Sequence, residues 1–128
     1  MVLEWHSLGL STTQHMKEAM GVFFTDRVAA ATQVGEGVSR KILAHHGTLM
    51  MVNVEFAAGA VGARHNHPHE QVTYVAAGKF LVKIGGQEQV LEVGDSFYAP
   101  SNVDHEVKAL EAGALVDIFT PQREDFLK

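Results

Sequence analysis

The chain has 128 residues, 46% of them hydrophobic and 20% charged, which is the size and balance of one soluble domain with a single core. Ten Lys and Arg against 15 Asp and Glu leave a net charge of −5 with no basic stripe, so nucleic acid is excluded as a partner, although local arginines leave room for a small anionic one. The lack of cysteine excludes disulfides and thiolate ligands, and no stretch approaches the roughly 20 apolar residues of a membrane helix.

The first ten residues, MVLEWHSLGL, place Glu4 and His6 where a secretory leader would need a basic segment and a long apolar run; this reads as a cytoplasmic protein. Residues 1–34 read as an N-terminal extension, rich in Ala, Thr and Met. Ser11 and Gln14 have the spacing of a helix capping box, and Met16, Ala19, Met20 and Phe23 fall on a helical stripe, which predicts one short helix or a dimer arm. Its Met and Phe residues read as packing rather than as a cofactor site.

Residues 35–128 change to short alternating runs separated by turn residues, the pattern of an all-β domain. Strands are expected at 38–44, 49–56, 71–77, 79–84, 87–91, 96–99, 105–109 and 114–119, with Gly78 marking a bend and a metal-bearing strand after the turn Ala57-Ala58-Gly59. Gly85-Gly86 predicts a type I′ hairpin, whose two central residues both need positive φ. So many short strands need closure to hide their edges, which predicts a single-domain all-β fold, a small β-barrel or jelly roll, holding its ligand in the mouth or interior.

The chemistry-bearing stretch is HNHPHEQ, residues 65–71. His65 and His67 are two apart and share a face in extended backbone. Pro68 interrupts the ladder, and Gln71, on the strand that resumes, offers an amide oxygen. His105, after the turn Pro100-Ser101-Asn102, comes from a separate strand and completes a set of three imidazoles and one oxygen, suited to zinc, nickel, iron or manganese. His6, His15, His45 and His46 show no converging spacing and read as solvated. His69 and Glu70 are either groups that orient the ligands or solvated loop residues.

These residues resemble the cupin superfamily. Its first motif is matched by Gly59, His65, His67, Gln71 and Gly78, with Gln where the general motif has Glu. Its second is matched by Gly94, Pro100 and His105, with Asn102 for Gly and Ala109 for Asn. A closer similarity, from about Val38 to the C-terminus, is to the pectin-degradation cupins that act on 4,5-unsaturated uronates, which use Gln as fourth ligand and carry a D-x-F-x-x-x-R pattern near the C-terminus. Asp117, Phe119 and Arg123 stand at that spacing here. The resemblance implies conversion of a cyclic 4,5-unsaturated uronate to the linear 4-deoxy-5-keto acid, with Asp117 moving the proton, Arg123 pairing with the carboxylate and Phe119 packing against the sugar. It also implies one divalent metal ion held by His65, His67, Gln71 and His105. Residues 1–34 have no counterpart in it.

Three imidazoles and a neutral amide leave the full +2 charge on a bound ion, which favours a Lewis acid over an oxygen-activating centre. The competing readings are a metal-dependent dioxygenase and a non-catalytic sugar-binding barrel. In the bland reading Phe119 is core, and Asp117 and Arg123 form a surface ion pair worth about 0 to 1 kcal/mol. Arg64, Lys79 and Tyr98 are candidates for the pocket rim, and Gln87-Glu88-Gln89 reads as a solvated hairpin face. An apolar arm and exposed edge strands predict a homodimer.

Overall fold

The structure is a computed structural model that describes residues 21–128; the capping-box segment lies outside them. Phe23, the last residue of the expected helical stripe, sits in irregular backbone and is 90% exposed. Eight strands follow a short 3₁₀ turn at Asp26–Val28: β1 (Ala31–Gly35), β2 (Val38–His46), β3 (Leu49–Phe56), β4 (Val61–His65), β5 (Glu70–Ile84), β6 (Gln87–Glu92), β7 (Ser96–Ala99) and β8 (His105–Thr120). A second 3₁₀ turn, Glu124–Leu127, closes the chain. Among the described residues no helix is long and apolar enough to cross a membrane.

All pairings are antiparallel, and the two longest strands generate the architecture. The first half of β5 lies between β7 and the second half of β8, while its second half lies between β6 and the first half of β8. Strand β8 likewise pairs with β4 through its first half and with β3 through its second. Each long strand therefore serves both walls of one antiparallel barrel, and the expected jelly roll is found. The two strands expected at 105–109 and 114–119 are one continuous strand, as are 71–77 and 79–84. The reason is that the glycines mark bends rather than ends: register shifts cluster at Val75/Ala77, Ala77/Lys79 and Lys79/Phe80, opposite Gly113. There the two backbones approach so closely that a Cβ on Gly78 would lie 2.7 Å from the Gly113 Cα, and one on Gly113 would overlap the Ala77 carbonyl.

Strand β1, which pairs with β2, was not expected from sequence; all five of its residues are exposed, so burial leaves no alternation to read. The β5–β6 hairpin has the predicted two-residue loop, but Gly85 alone takes positive φ (+57°), so the turn is not type I′. Asn102, which stands where the second motif has Gly, adopts the left-handed conformation that Asn also tolerates, with φ 61°.

Inward side chains of both walls separate into two groups. Phe56 and Phe80 meet edge to face at 5.2 Å among Val75, Val82, Val107 and Leu115 and close one end. Met50, Val52 and Phe119, backed by Ile42 and Phe126, line the other. The space between them is the site.

Replacing Gly113 with Ala should destabilise the fold by on the order of 3 kcal/mol, the upper range for overpacking, because the atom it meets is backbone and cannot rotate away. A thermal melt within a degree or two of wild type would show that the crossing is looser than described.

Candidate metal centre

His65 ends β4, His67 stands two residues later, and His105 opens β8 directly across from His65 in the ladder. The rings of His65 and His105 are 4.3 Å apart between centroids, and those of His67 and His105 4.9 Å. One nitrogen from each lies within 4.8 Å of the others, the one such group of three His or carboxylate residues among the described residues. His45 and His46 lie apart from it, against Phe24.

The outer ring nitrogens explain why the three rings converge. Nδ1 of His65 lies 2.8 Å from the Ala63 carbonyl, Nδ1 of His67 3.0 Å from that of His69, and Nδ1 of His105 3.0 Å from that of Val103. A carbonyl only accepts, so each Nδ1 carries the proton and each Nε2 presents a lone pair. Burial holds His67 and His105 below the ordinary imidazole range, with Arg123 pressing the same way on both, so the rings stay neutral.

Two contacts test whether this set fits a cation. His105 Nε2 is buried and has no hydrogen-bond partner. His67 Nε2 lies 3.0 Å from the Gln71 amide oxygen, yet the amide is oriented by its nitrogen, which donates to Thr73 Oγ1 at 2.9 Å and to Asp117 Oδ1 at 3.4 Å. Two lone pairs therefore face each other in a buried place, an arrangement that a positive ion between them relieves. The group is able to bind a metal ion.

Along the inward faces of β5 and β8 the polar chain continues. Gln71 pairs with Phe119 and Thr73 with Asp117 across the ladder, and Thr73 donates a 2.7 Å hydrogen bond to the Asp117 carboxylate. Burial raises the Asp117 carboxyl to about 6, against the opposing pull of the Thr73 hydroxyl and of the Arg123 guanidinium. His65, Gln71, His105, Asp117, Phe119 and Arg123 all line one cavity of about 260 Å³.

Four expected residues have surroundings that sequence could not supply. Phe119 is 2% exposed and stands edge to face with His67 at 5.6 Å, so its ring braces a histidine as well as joining the core. Arg123 donates from Nε and Nη2 to both oxygens of Asp125, at 3.1 and 2.9 Å, and its guanidinium lies over the rings of Phe126 (4.2 Å) and Phe119 (5.2 Å). Glu70 accepts from Tyr98 on the outer surface, while His69 holds His67 through its backbone carbonyl and stands edge to face with its ring at 5.5 Å. Of the rim candidates, Arg64 pairs with Glu106, and Lys79 with Glu92 and Glu111; neither they nor Tyr98 line the cavity. Sequence reading passed over Arg40, Thr73 and Phe126, though Arg40 was detectable: in Val38-Ser39-Arg40-Lys41-Ile42, alternation puts a cation between two apolar residues on the inward face.

Replacing His105 with Ala should abolish stoichiometric uptake of zinc or nickel by the purified protein, measured by elemental analysis after dialysis; retained stoichiometry would remove the three-histidine site. A second expectation concerns stability without metal. The folded Asp117 pKa lies above its unfolded value of 3.8, so this group's contribution is fully present below 3.8 and lost as pH rises through about 6. Asp117→Asn should therefore raise the stability of chelator-treated protein at pH 8, by up to about 3 kcal/mol, with the gain vanishing near pH 4. Melts of both proteins at the two pH values read this directly, and equal midpoints at pH 8 would contradict it.

The comparisons with known proteins agree with this geometry. A family model described as Cupin domain matches residues 52–119. Pectin degradation protein KdgF of Dickeya dadantii (strain 3937) is 45% identical over 107 residues, covering 82% of this chain and 97% of that protein. The structure of KdgF from Halomonas sp. superposes with a TM-score of 0.79 at 40% identity, covering 84% of this chain and 99% of that one. An RmlC-like cupin from Shewanella frigidimarina gives 0.80 at 39% identity, covering 84% and 96%. With a matched domain that spans both histidine strands and relatives alike over nearly their whole length, this chain belongs to the cupin family.

Proposed function

We propose that this protein is a metal-dependent enzyme that converts 4,5-unsaturated uronate monosaccharides, of the kind released from pectin or alginate, into linear 4-deoxy-5-keto uronates. The observation that carries the reading is the placement of Asp117: a carboxyl poised between its two protonation states near neutral pH, tied through Thr73 and the Gln71 amide to the histidine group, in the same cavity. The likeness to two proteins named KdgF, one of them a pectin degradation protein, points to the same chemistry.

The reaction is an isomerisation and needs no oxidant. The anomeric hydroxyl loses its proton as the C1 carbonyl forms and the bond from C1 to the ring oxygen breaks, which leaves an enolate at C5. That enolate then takes a proton at C4 and becomes the ketone. One group that accepts the first proton and delivers the second satisfies the balance, and a carboxyl near pKa 6 does both at neutral pH. Asp117 has that role here. In this reading His65, His67, His105 and Gln71 hold a divalent ion, zinc, nickel, iron or manganese, which polarises the substrate oxygens as a Lewis acid. Phe119 keeps His67 in place, and Arg123 packs the C-terminal turn against the cavity while adding positive potential.

Incubation with an unsaturated monouronate under anaerobic conditions, with zinc as the supplied metal, should bleach the ultraviolet absorbance of the C4–C5 double bond and yield the linear ketone by NMR. Asp117→Asn should lower kcat by about 100-fold to 10,000-fold with metal content unchanged. A requirement for oxygen would favour a dioxygenase, and full turnover by the Asn variant would take Asp117 out of the mechanism.

A further inference from the structure

Resting on the uronate reading above, we propose that Arg40, rather than Arg123, is the residue that grips the substrate carboxylate and sets the preference for an acid sugar.

The expectation from sequence was that Arg123 makes this contact, but its two-pronged edge is already taken. Nε and Nη2 both donate to Asp125, in the paired geometry by which an arginine binds a carboxylate. A substrate acid would have to displace a neighbour two residues away. Arg40 is placed differently. It lies opposite Val54 in the β2–β3 ladder, on the inward face, and its side chain lines the cavity. It forms no hydrogen bond or ion pair with any side chain among the described residues, whereas its neighbour Lys41 points outward and pairs with Asp26 at 2.9 Å.

Arg40 is also held ready. Its guanidinium carbon lies 3.8 Å from the centre of the Phe126 ring, the same ring that carries Arg123 at 4.2 Å. Stacking fixes the plane of the fork and leaves its N–H edge free, so less freedom is lost on binding. Arg40 and Arg123 are the cavity-lining arginines, and with Asp125 neutralising one of them the pair leaves one positive charge in excess beside an apolar wall of Val52, Val54 and Phe126. Partial burial and the neighbouring Arg123 both act against the Arg40 charge, while Asp125 favours it; a bound carboxylate adds a second favourable partner. A strand position that would ordinarily hold a Val or Leu thus presents a cation to the cavity that Asp117, His65 and His105 also line.

The test compares the unsaturated uronate with its methyl ester, which has the same shape and no charge, on wild type, Arg40→Met, Arg40→Lys and Arg123→Met, each loaded with zinc. Wild type should prefer the acid. Arg40→Met should raise KM for the acid by about 10-fold to 100-fold, leave KM for the ester and kcat within about 3-fold, and so erase the preference. Arg40→Lys should restore part of it, since the charge remains while the two-pronged fork is lost. Arg123→Met should keep the preference. Metal content and melting temperature check that the variants are folded, and the Lys variant serves if Met is not tolerated. An undiminished preference for the acid in either Arg40 variant would overturn the assignment and leave the uronate reading standing. A wild type inactive on both acid and ester would bring down that reading and this inference together.

Discussion

The site depends on three hydrogen bonds that involve no ligand at all. Each imidazole spends its Nδ1 proton on a backbone carbonyl two residues away, and this directs three Nε2 lone pairs at one point. Bonds of this kind contribute only about 0.5 to 1.5 kcal/mol each to stability. Their larger effect is on orientation: without them the rings could rotate about χ2 and the other tautomer would become accessible. The carbonyls belong to strand ends and the turn beside them, so the centre is as rigid as the barrel that supplies them.

Beyond that centre, the polar residues run in order along two paired strands. Gln71 faces the histidines, Thr73 follows it on β5, and Asp117 sits across from Thr73 on β8. An acid in such a place is unfavourable for the metal-free fold above its own pKa, and a hydrophobic residue would serve folding better. The proposed proton transfer would account for that cost, because the same burial that opposes the charge raises the carboxyl toward neutral pH. The bracing of His67 by Phe119 shows the reverse economy, since one buried ring serves both the core and the site.

Much of this was legible beforehand, for local reasons. His65 and His67 share a face because extended backbone repeats every two residues, and the turn glycines at 59, 78 and 94 do take positive φ. What escaped was non-local. Gly78 reads as a bend in sequence, but Gly113 falls in a gap between two expected strands, and only their mutual approach reveals both as bends within continuous strands. The partner of Arg123 was hidden because an Arg two residues before an Asp is compatible with either a substrate or a neighbour in its fork. Arg40 escaped for another reason: its signal is a single inward charge between two apolar residues of β2, with no motif around it. Strand β1 has no buried face and hence no pattern to detect.

The two histidine-bearing segments are also laced together outside the rings. Asn102 N–H donates to the His67 carbonyl at 2.8 Å, Ser101 Oγ to the Pro68 carbonyl at 2.6 Å, and Asn66 Nδ2 to Asp104 at 2.7 Å. A cradle already closed by its own backbone needs no ordering when an ion arrives, in contrast to small domains that fold only around their metal. Of the three histidines His65 is the exposed one, so solvent reaches the group from its side while His67 and His105 stay buried.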